Sequence, residues 1–234
     1  MLRRRASTSS AFQSCSISFY FCCGHEERWF GAAERIPDGP TVKRAADWAK
    51  RYGMVIVAAL YEEEAPGVYY NTAAVIDADG SYPGKYRKLH IPDGGWCREK
   101  LYFKPGNLGL PVFQTAVGRI GVVICNDRHF PEGYRALALG GAEIVFVPTS
   151  TGPAARPTWD LEVKAAAFAN GMFVGAVNRV GDENTEMGKY FGTSLFGVLR
   201  SSAIEPSSSP LVDVVHGALL LFGIGHLPLP LWGQ

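Results

Sequence analysis

Residues 118–150 carry the stretch that decides the fold, GRIGVVICNDRHFPEGYRALALGGAEIVFVPTS. Residues 120–124 form a short, nearly continuous apolar run, which is typical of a strand buried on both faces. The run ends at Cys125, and Pro131 followed by an acidic residue suits the first turn of a helix that continues to about residue 139. Two glycines then stop the helix, and residues 143–148 resemble a second buried strand. The stretch therefore predicts strand, sharp turn, helix and strand, with a thiol at the turn.

A thiol at the start of a helix is chemically useful. Unpaired N–H groups and the partial positive charge of the helix N-terminus favour thiolate over thiol. The same N–H groups are suited to hold an oxyanion that forms when a thiolate attacks a carbonyl or nitrile carbon. Considered alone, however, a single cysteine after an apolar strand is more often a buried structural residue. Cys125 is therefore a candidate nucleophile that needs support from the rest of the chain.

That support comes from motifs on either side of the cysteine. Cys125 lies in ICNDR (residues 124–128), which continues as RHFPEGYRALALGGAEIVF. Earlier in the chain, YRKLHIP (residues 86–92) is followed by EKLYFKPG (residues 99–106). These motifs, in this order, resemble the nitrilase (carbon–nitrogen hydrolase) superfamily, and within it the β-ureidopropionase and N-carbamoyl amino acid amidohydrolases. The resemblance covers about residues 20–194.

The resemblance implies an α/β fold, the nitrilase-like α/β/β/α four-layer sandwich in which two sheets face one another. We expect it to be incomplete at both ends. Residues 1–19 form a divergent N-terminal segment in which the opening strand of the family is not recognised, 20–194 the hydrolase domain, and 195–234 a divergent tail. Within the domain, a helix over residues 159–170 carries Leu161, Ala165 and Phe168 on one side.

The resemblance also assigns catalytic roles. Lys88 of YRKLHIP would hold the tetrahedral oxyanion and help to keep Cys125 ionised, and Glu99 of EKLYF would support the lysine and the substrate nitrogen. Without the family motif, Lys88 would be interpreted as a solvated lysine in a basic cluster, and Glu99 as an ordinary surface glutamate.

Four further residues are assigned to substrate binding: Arg128, His129, His90 and Asn126. In the amidohydrolases that the chain resembles, the arginine at the position of Arg128 binds the substrate carboxylate, which suits its planar fork of donors. From the residues alone, Arg128 and His129 would be solvated residues at a helix start, or ion-pair partners of Asp127 or Glu132. No cofactor or metal is implied, and no cysteine or histidine spacing suggests a zinc site.

The implied reaction is hydrolysis of an N-carbamoyl acid with release of ammonia and carbon dioxide, and N-carbamoyl-β-alanine is favoured over N-carbamoyl-α-amino acids. The alternatives are a non-catalytic subunit, which would bind a ureido acid without turning it over, and an aliphatic nitrilase. Arg128 argues mildly against the nitrilase, since a neutral nitrile needs no such partner.

Composition limits the partners. A net charge of +1 and a pI near 7.7 give no reason to propose nucleic acid or an anionic membrane surface. Five irregularly spaced cysteines do not form a secreted disulfide framework, which favours a reducing, cytoplasmic setting. The expected partners are a small ureido acid and, in the intact family form, further copies of the same chain.

One departure from the family concerns the general base. The family places a glutamate in a segment like QELFNLPYFC, and alignment through Gln13 and Tyr20 puts Ser14 at that position. A serine hydroxyl cannot take a thiol proton near neutral pH. Codons for residues 14–18 (AGC TGT TCA ATC TCN), with one G restored in front, encode Glu-Leu-Phe-Asn-Leu. We therefore expect a local frame error in the gene or the gene model, with a second change that restores the frame before Tyr20, and a chain that is inactive or nearly so as written.

Overall fold

The computed structural model describes residues 8–11, 20–184 and 186–197 of the chain. The strands are β1 (Thr8–Ala11), β2 (Met54–Ala65), β3 (Val68–Ile76), β4 (Gly84–Arg87), β5 (Asp93–Gly94), β6 (Cys97–Arg98), β7 (Phe113–Thr115), β8 (Gly118–Val122), β9 (Ile144–Thr149), β10 (Phe173–Asn178), β11 (Val180–Asp182), β12 (Lys189–Phe191) and β13 (Leu195–Gly197). The α-helices of these residues are α1 (Pro40–Tyr52), α2 (Pro131–Leu139) and α3 (Arg156–Asn170).

Two sheets organise the domain. The first has the strand order β1-β2-β3-β4, and the second has the order β13-β10-β9-β8-β7. In the second sheet β8, β9 and β10 are parallel, whereas β7 and β13 pair antiparallel at its edges. Two short antiparallel pairs, β5 with β6 and β11 with β12, lie outside these sheets. Because β8, β9 and β10 run in one direction, their carboxyl ends meet at the same edge of the second sheet.

Among the described residues, three clusters of apolar side chains hold the layers of the domain together. Between the sheets, side chains of both inner faces pack together, among them Val57, Val75, Ile120, Ile144 and Phe146. The helix α1 covers the outer face of the first sheet, and α2 with α3 covers the outer face of the second. The layers are therefore helix, sheet, sheet and helix, which confirms the predicted four-layer sandwich.

The predicted strands and helices around Cys125 are largely confirmed, with three differences. A strand, β1, occupies the edge of the first sheet in parallel with β2, although no opening strand was recognised in residues 1–19. Its sequence, TSSA, lacks the alternation of apolar and polar residues that predicts a strand, so this strand could not be recognised from the sequence.

The second difference concerns α3. Its buried residues are Trp159, Val163, Ala166 and Ala167, whereas Leu161 and Phe168 are 68% and 69% exposed. The side of the helix that Leu161 and Phe168 mark in the sequence is therefore the outer one. Both sides of this alanine-rich helix carry apolar residues, so periodicity alone does not identify the side that faces the sheet. None of the helices in the described part of the chain is long and apolar enough to cross a membrane.

Candidate active site

The turn at Cys125 is the third difference from the sequence prediction. The helix α2 begins at Pro131, as predicted, but a short 3-10 helix over Cys125–His129 precedes it, so the thiol does not lie at the N-terminus of α2. Cys125 has φ of 49°, which is the left-handed region that residues other than glycine rarely adopt. Such a conformation costs about 1 kcal/mol or more and persists where the surroundings hold it in place.

Asp127 is the residue that holds this turn. Its buried carboxylate accepts hydrogen bonds from the Ile124 N–H at 3.0 Å, the Tyr86 hydroxyl at 2.7 Å and the His90 N–H at 2.8 Å. The Cys125 thiol lies in the same region and donates to the Ser150 carbonyl, with 3.7 Å between sulfur and oxygen. Asp127 thus ties the cysteine turn to β4 and the segment that follows it.

The Lys88 ammonium and the Glu99 carboxylate form a fully buried pair. Lys88 Nζ lies 2.6 Å from Glu99 Oε2, and both side chains are 0% exposed. Burial opposes the charge on Lys88, but the charges of Glu99 and Cys125 and the hydrogen bond to Glu99 outweigh it and raise the pKa of the ammonium above its ordinary value. Lys88 is therefore cationic at neutral pH and acts electrostatically on the Cys125 sulfur.

The ion pairs of the neighbouring Arg87 explain why the Lys88 side chain points toward Glu99. Successive side chains of an extended chain point to opposite sides, and the neighbouring Arg87 takes the other side. There its guanidinium donates to the buried carboxylate of Glu62, with Nη2 at 2.7 Å from Oε1 and Nε at 3.0 Å from Oε2. Lys85 pairs with the same carboxylate. The cluster at Glu62 fixes β4, so the next residue is directed toward Glu99.

A cavity of about 390 Å³ opens beside Cys125. The described residues that line it are Tyr20, Pro92, Trp96, Cys97, Glu99, Cys125, Asn126, Arg128, His129, Ser150, Thr151, Gly152, Pro153, Ala154, Ala155, Thr158 and Met187. Of the predicted site residues, the lining includes Cys125, Glu99, Asn126, Arg128 and His129. Two predicted residues, Lys88 and His90, lie outside it.

His90 contacts the cysteine turn. Its Nδ1 lies 2.8 Å from the Asp127 carboxylate, and its ring stacks on Phe130 with 3.6 Å between ring centroids. The Asn126 side-chain amide donates to the His90 carbonyl at 3.1 Å. The contacts of His90 are therefore structural ones, because its ring is engaged by Asp127 and Phe130. A contact between His90 and substrate stays a prediction.

Arg128 and His129 share one carboxylate, that of Glu162 on α3. Arg128 Nε donates to Glu162 Oε2 at 3.1 Å, and His129 Nδ1 lies 2.6 Å from Glu162 Oε1. Arg128 Nη1 also donates to the Cys125 carbonyl at 3.0 Å. From the sequence, Asp127 or Glu132 was the expected ion-pair partner of Arg128. The observed partner is Glu162, which is 34 residues away in the chain. Glu162 thus balances the charge of Arg128 at the cavity wall.

Three residues with a direct place in this site were not predicted from the sequence to belong to it: Tyr20, Cys97 and Glu162. Tyr20 was used only to align the base motif, and its hydroxyl in fact donates to Glu99 Oε1 at 2.7 Å. Burial and the charge of Glu99 raise the pKa of the Cys97 thiol to about 11, so this second cavity thiol stays protonated at neutral pH. Ser14, the predicted replacement of the base, lies outside the described residues, so its effect stays a prediction.

The comparisons with known proteins bear on the family and the fold. A sequence model of the carbon–nitrogen hydrolase family matches residues 4–208, a wider range than the 20–194 over which the motifs carry the resemblance. The chain belongs to the carbon–nitrogen hydrolase family. A crystal structure of a carbon–nitrogen hydrolase from Helicobacter pylori G27 is similar, with a TM-score of 0.76 and 33% identity over 81% of this chain and 69% of that one.

Two curated relatives have different named substrates. An N-carbamoylputrescine amidase from Solanum lycopersicum is 44% identical over 175 residues, which is 72% of this chain and 58% of that protein. A β-ureidopropionase from Arabidopsis thaliana is 38% identical over 226 residues, which is 89% of this chain and 54% of that protein. The chain thus spans a little over half the length of these relatives.

Proposed function

We propose that Cys125, Lys88 and Glu99 form the site of a hydrolase that cleaves the terminal C–N bond of a carbamoyl (ureido) group. The observation that carries the proposal is the fully buried Lys88–Glu99 pair beside a cysteine held at positive φ in a cavity wall. A buried cation next to a thiol stabilises both the thiolate and an oxyanion formed by its attack.

The reaction proceeds in two stages. The Cys125 thiolate attacks the ureido carbon, and the oxyanion that develops is stabilised by the Lys88 ammonium. Ammonia leaves with the proton that the thiol has given up, and a carbamoyl thioester remains. Water then attacks this thioester and releases a carbamic acid, which loses carbon dioxide to give the free amine of the product. One water is consumed, and one ammonia and one carbon dioxide are released. Transfer of these protons needs a general base, which we assign to the glutamate that Ser14 replaces.

For the tail of the substrate, the first candidate is a carboxylate, as in N-carbamoyl-β-alanine. The support for this tail is Arg128 in the cavity wall. Among the described residues, its Nε donates to Glu162 and its Nη1 to the Cys125 carbonyl, which leaves Nη2 as a further donor for a carboxylate. The name of the β-ureidopropionase relative points to the same tail.

A carbamoyl amine is the second candidate, and a separate observation favours it. Glu162 already pairs with Arg128 and His129, so the cavity wall has little net positive charge to attract an acid. The name of the N-carbamoylputrescine amidase relative agrees with a cationic tail.

Ammonia release from a panel of ureido compounds and nitriles tests both the proposed reaction and the proposed substrate tails. We expect N-carbamoyl-β-alanine, N-carbamoyl-α-amino acids and N-carbamoylputrescine to be hydrolysed, and simple nitriles to be left unchanged, by a chain whose residues 14–19 are replaced with Glu-Leu-Phe-Asn-Leu-Pro. Hydrolysis of nitriles but of no ureido compound would contradict the proposed reaction.

Arg128→Lys separates the two tails. A lysine loses the planar fork, so we expect KM to rise more for the acid than for the amine. An equal loss for both substrates would show that Arg128 holds only Glu162 and the cysteine turn.

A further inference from the structure

Tyr20 places a hydroxyl between the cavity and the buried ion pair. The residue is 2% exposed and lines the cavity. Its hydroxyl donates to Glu99 Oε1 at 2.7 Å and lies 3.2 Å from the Cys97 sulfur. Burial and the charge of Glu99 hold the pKa of Tyr20 well above its ordinary value, so the hydroxyl stays protonated and remains a donor at neutral pH.

The two oxygens of Glu99 therefore have separate donors. Oε1 accepts from Tyr20 and Oε2 accepts from Lys88, at 2.7 Å and 2.6 Å. A carboxylate bound on both oxygens cannot rotate freely, so the direction from which it holds the Lys88 ammonium is fixed. The remaining hydrogens of the ammonium are then directed away from Glu99.

The hydroxyl is itself held in place by contacts that do not involve the ion pair. The Tyr20 N–H donates to Glu183 Oε2 at 2.8 Å, and Glu183 also pairs with the buried Arg179. The ring packs edge-on against Trp96, with 6.4 Å between centroids. Backbone and ring are both anchored, so the hydroxyl is positioned before any substrate binds.

We propose that Tyr20 is a positioning residue of this site, whose hydroxyl fixes Glu99 and, through Glu99, directs the Lys88 ammonium toward Cys125 and the substrate oxygen. The inference deepens the proposed function and rests on it for the identity of the substrate. Its effect on the thiolate needs no substrate and is measurable separately.

Loss of the hydroxyl has a defined consequence. Without a donor on Oε1, the buried Glu99 carboxylate is left with an unsatisfied oxygen and becomes a stronger acceptor for Lys88. The ammonium is drawn toward Glu99 and stabilises the Cys125 thiolate less well. We therefore expect Cys125 to be alkylated about tenfold more slowly at pH 7, the order of one hydrogen bond to a charged group, and the midpoint of its pH profile to move upward.

The experiment measures alkylation of Cys125 by iodoacetamide in the full 234-residue chain, by mass spectrometry, from pH 5 to pH 10. The variants are Tyr20→Phe, Glu99→Gln and the two together. Tyr102→Phe is the matched control, because Tyr102 is as buried as Tyr20 and belongs to the same cluster of packed apolar and aromatic side chains. Its hydroxyl instead donates to the Gly24 carbonyl and accepts from the Glu26 N–H. Slow labelling of Cys22, whose side chain is fully buried, reports that each variant keeps its packing.

If Tyr20 acts through Glu99, Tyr20→Phe slows alkylation and shifts its midpoint, whereas Tyr102→Phe does neither. In the Glu99→Gln background, loss of the hydroxyl then has little further effect, because the two residues act as one unit. An unchanged profile for Tyr20→Phe, or effects of the two substitutions that simply multiply, would overturn the proposal. These outcomes do not depend on ureido hydrolysis. If only the proposed function is wrong, the alkylation rates still change as expected, but no ureido compound is hydrolysed.

Discussion

Cys125 combines a strained backbone, a place in the cavity wall and a buried cation as its neighbour. Among the thiols that line this cavity, Cys97 has a raised pKa of about 11, because burial and Glu99 disfavour its thiolate. We therefore expect iodoacetamide at pH 8 to label Cys125 faster than Cys15, Cys22, Cys23 or Cys97, as shown by peptide mass spectrometry. Cys125→Ala should keep the fold, since it removes one atom at a cavity wall. A chain in which Cys125 is the slowest of the five would contradict its role as nucleophile.

Lys88 allows a second test at the residue scale. In a chain with the base restored, Lys88→Met should lower kcat by about 10²-fold or more, the scale of losing one oxyanion donor. Lys100→Met is the control, because Lys100 is exposed and follows Glu99 directly in the chain. Adding Glu99→Gln to Lys88→Met removes the stranded buried charge, so the double variant should regain stability and stay slow. Recovery of kcat in the double variant would show that Lys88 matters only for folding.

The parts of the site that the sequence predicts are those within motifs. Cys125, Lys88 and Glu99 each stand in a run of residues characteristic of the family, and the structure brings Lys88 and Glu99 into direct contact. Glu162 and Tyr20 escaped prediction, since their partners are 34 and 79 residues away in the chain. Contacts of this kind depend on how α3 and the chain at Tyr20 pack against distant residues, which no local pattern contains.

At the scale of the element, α3 offers a matched pair of substitutions. Val163 is 0% exposed against the second sheet, whereas Leu161 is 68% exposed. Val163→Ala should lower the free energy of unfolding by about 2 kcal/mol, because it removes two buried methyl groups and leaves a cavity. Leu161→Ala should change it by less than about 0.5 kcal/mol, although it removes more atoms. Urea denaturation measures both values, and the reverse order would show that the opposite face of α3 packs on the sheet.

The Glu62 cluster on β2 and β4 makes a prediction that depends on pH. Burial disfavours the charge on Glu62, but hydrogen bonds from Arg87, Lys85 and Thr72 outweigh it and lower the pKa of this carboxyl. A lowered pKa in the folded state stabilises the fold above the ordinary carboxyl pKa, and this contribution is lost as pH falls through the folded value.

Glu62→Gln removes one of the two carboxylates that pair with the buried Arg87, the other being Glu64, and should lower the free energy of unfolding at pH 7 by about 2 kcal/mol. The variant should also lose less stability than the parent between pH 5 and pH 3. Thermal denaturation across this range is the measurement. Parallel pH profiles would show that Glu62 does not contribute to acid unfolding.

At the scale of the whole molecule, the order of strands and helices was predictable because buried strands and helix boundaries leave local signals. Gly53 and Gly171 follow α1 and α3 in the left-handed conformation, as expected of helix-terminating glycines. The pairing of β1 at the sheet edge and the face of α3 were not predictable, because small polar residues and an alanine-rich helix fit more than one arrangement.

The carbon–nitrogen hydrolase fold therefore carries the proposed nucleophile, cation and supporting carboxylate, with a serine where the base is expected. The most direct test measures ammonia release from N-carbamoyl-β-alanine and N-carbamoylputrescine by three chains: the chain as written, the chain with Glu-Leu-Phe-Asn-Leu-Pro at residues 14–19, and the latter with Cys125→Ala. We expect restoration to raise the rate by about 10² to 10⁴, the usual contribution of a positioned base, and Cys125→Ala to abolish the gain. Robust hydrolysis by the chain as written would contradict the assignment of the base to position 14, and a gain that survives Cys125→Ala would contradict the role of Cys125 as nucleophile.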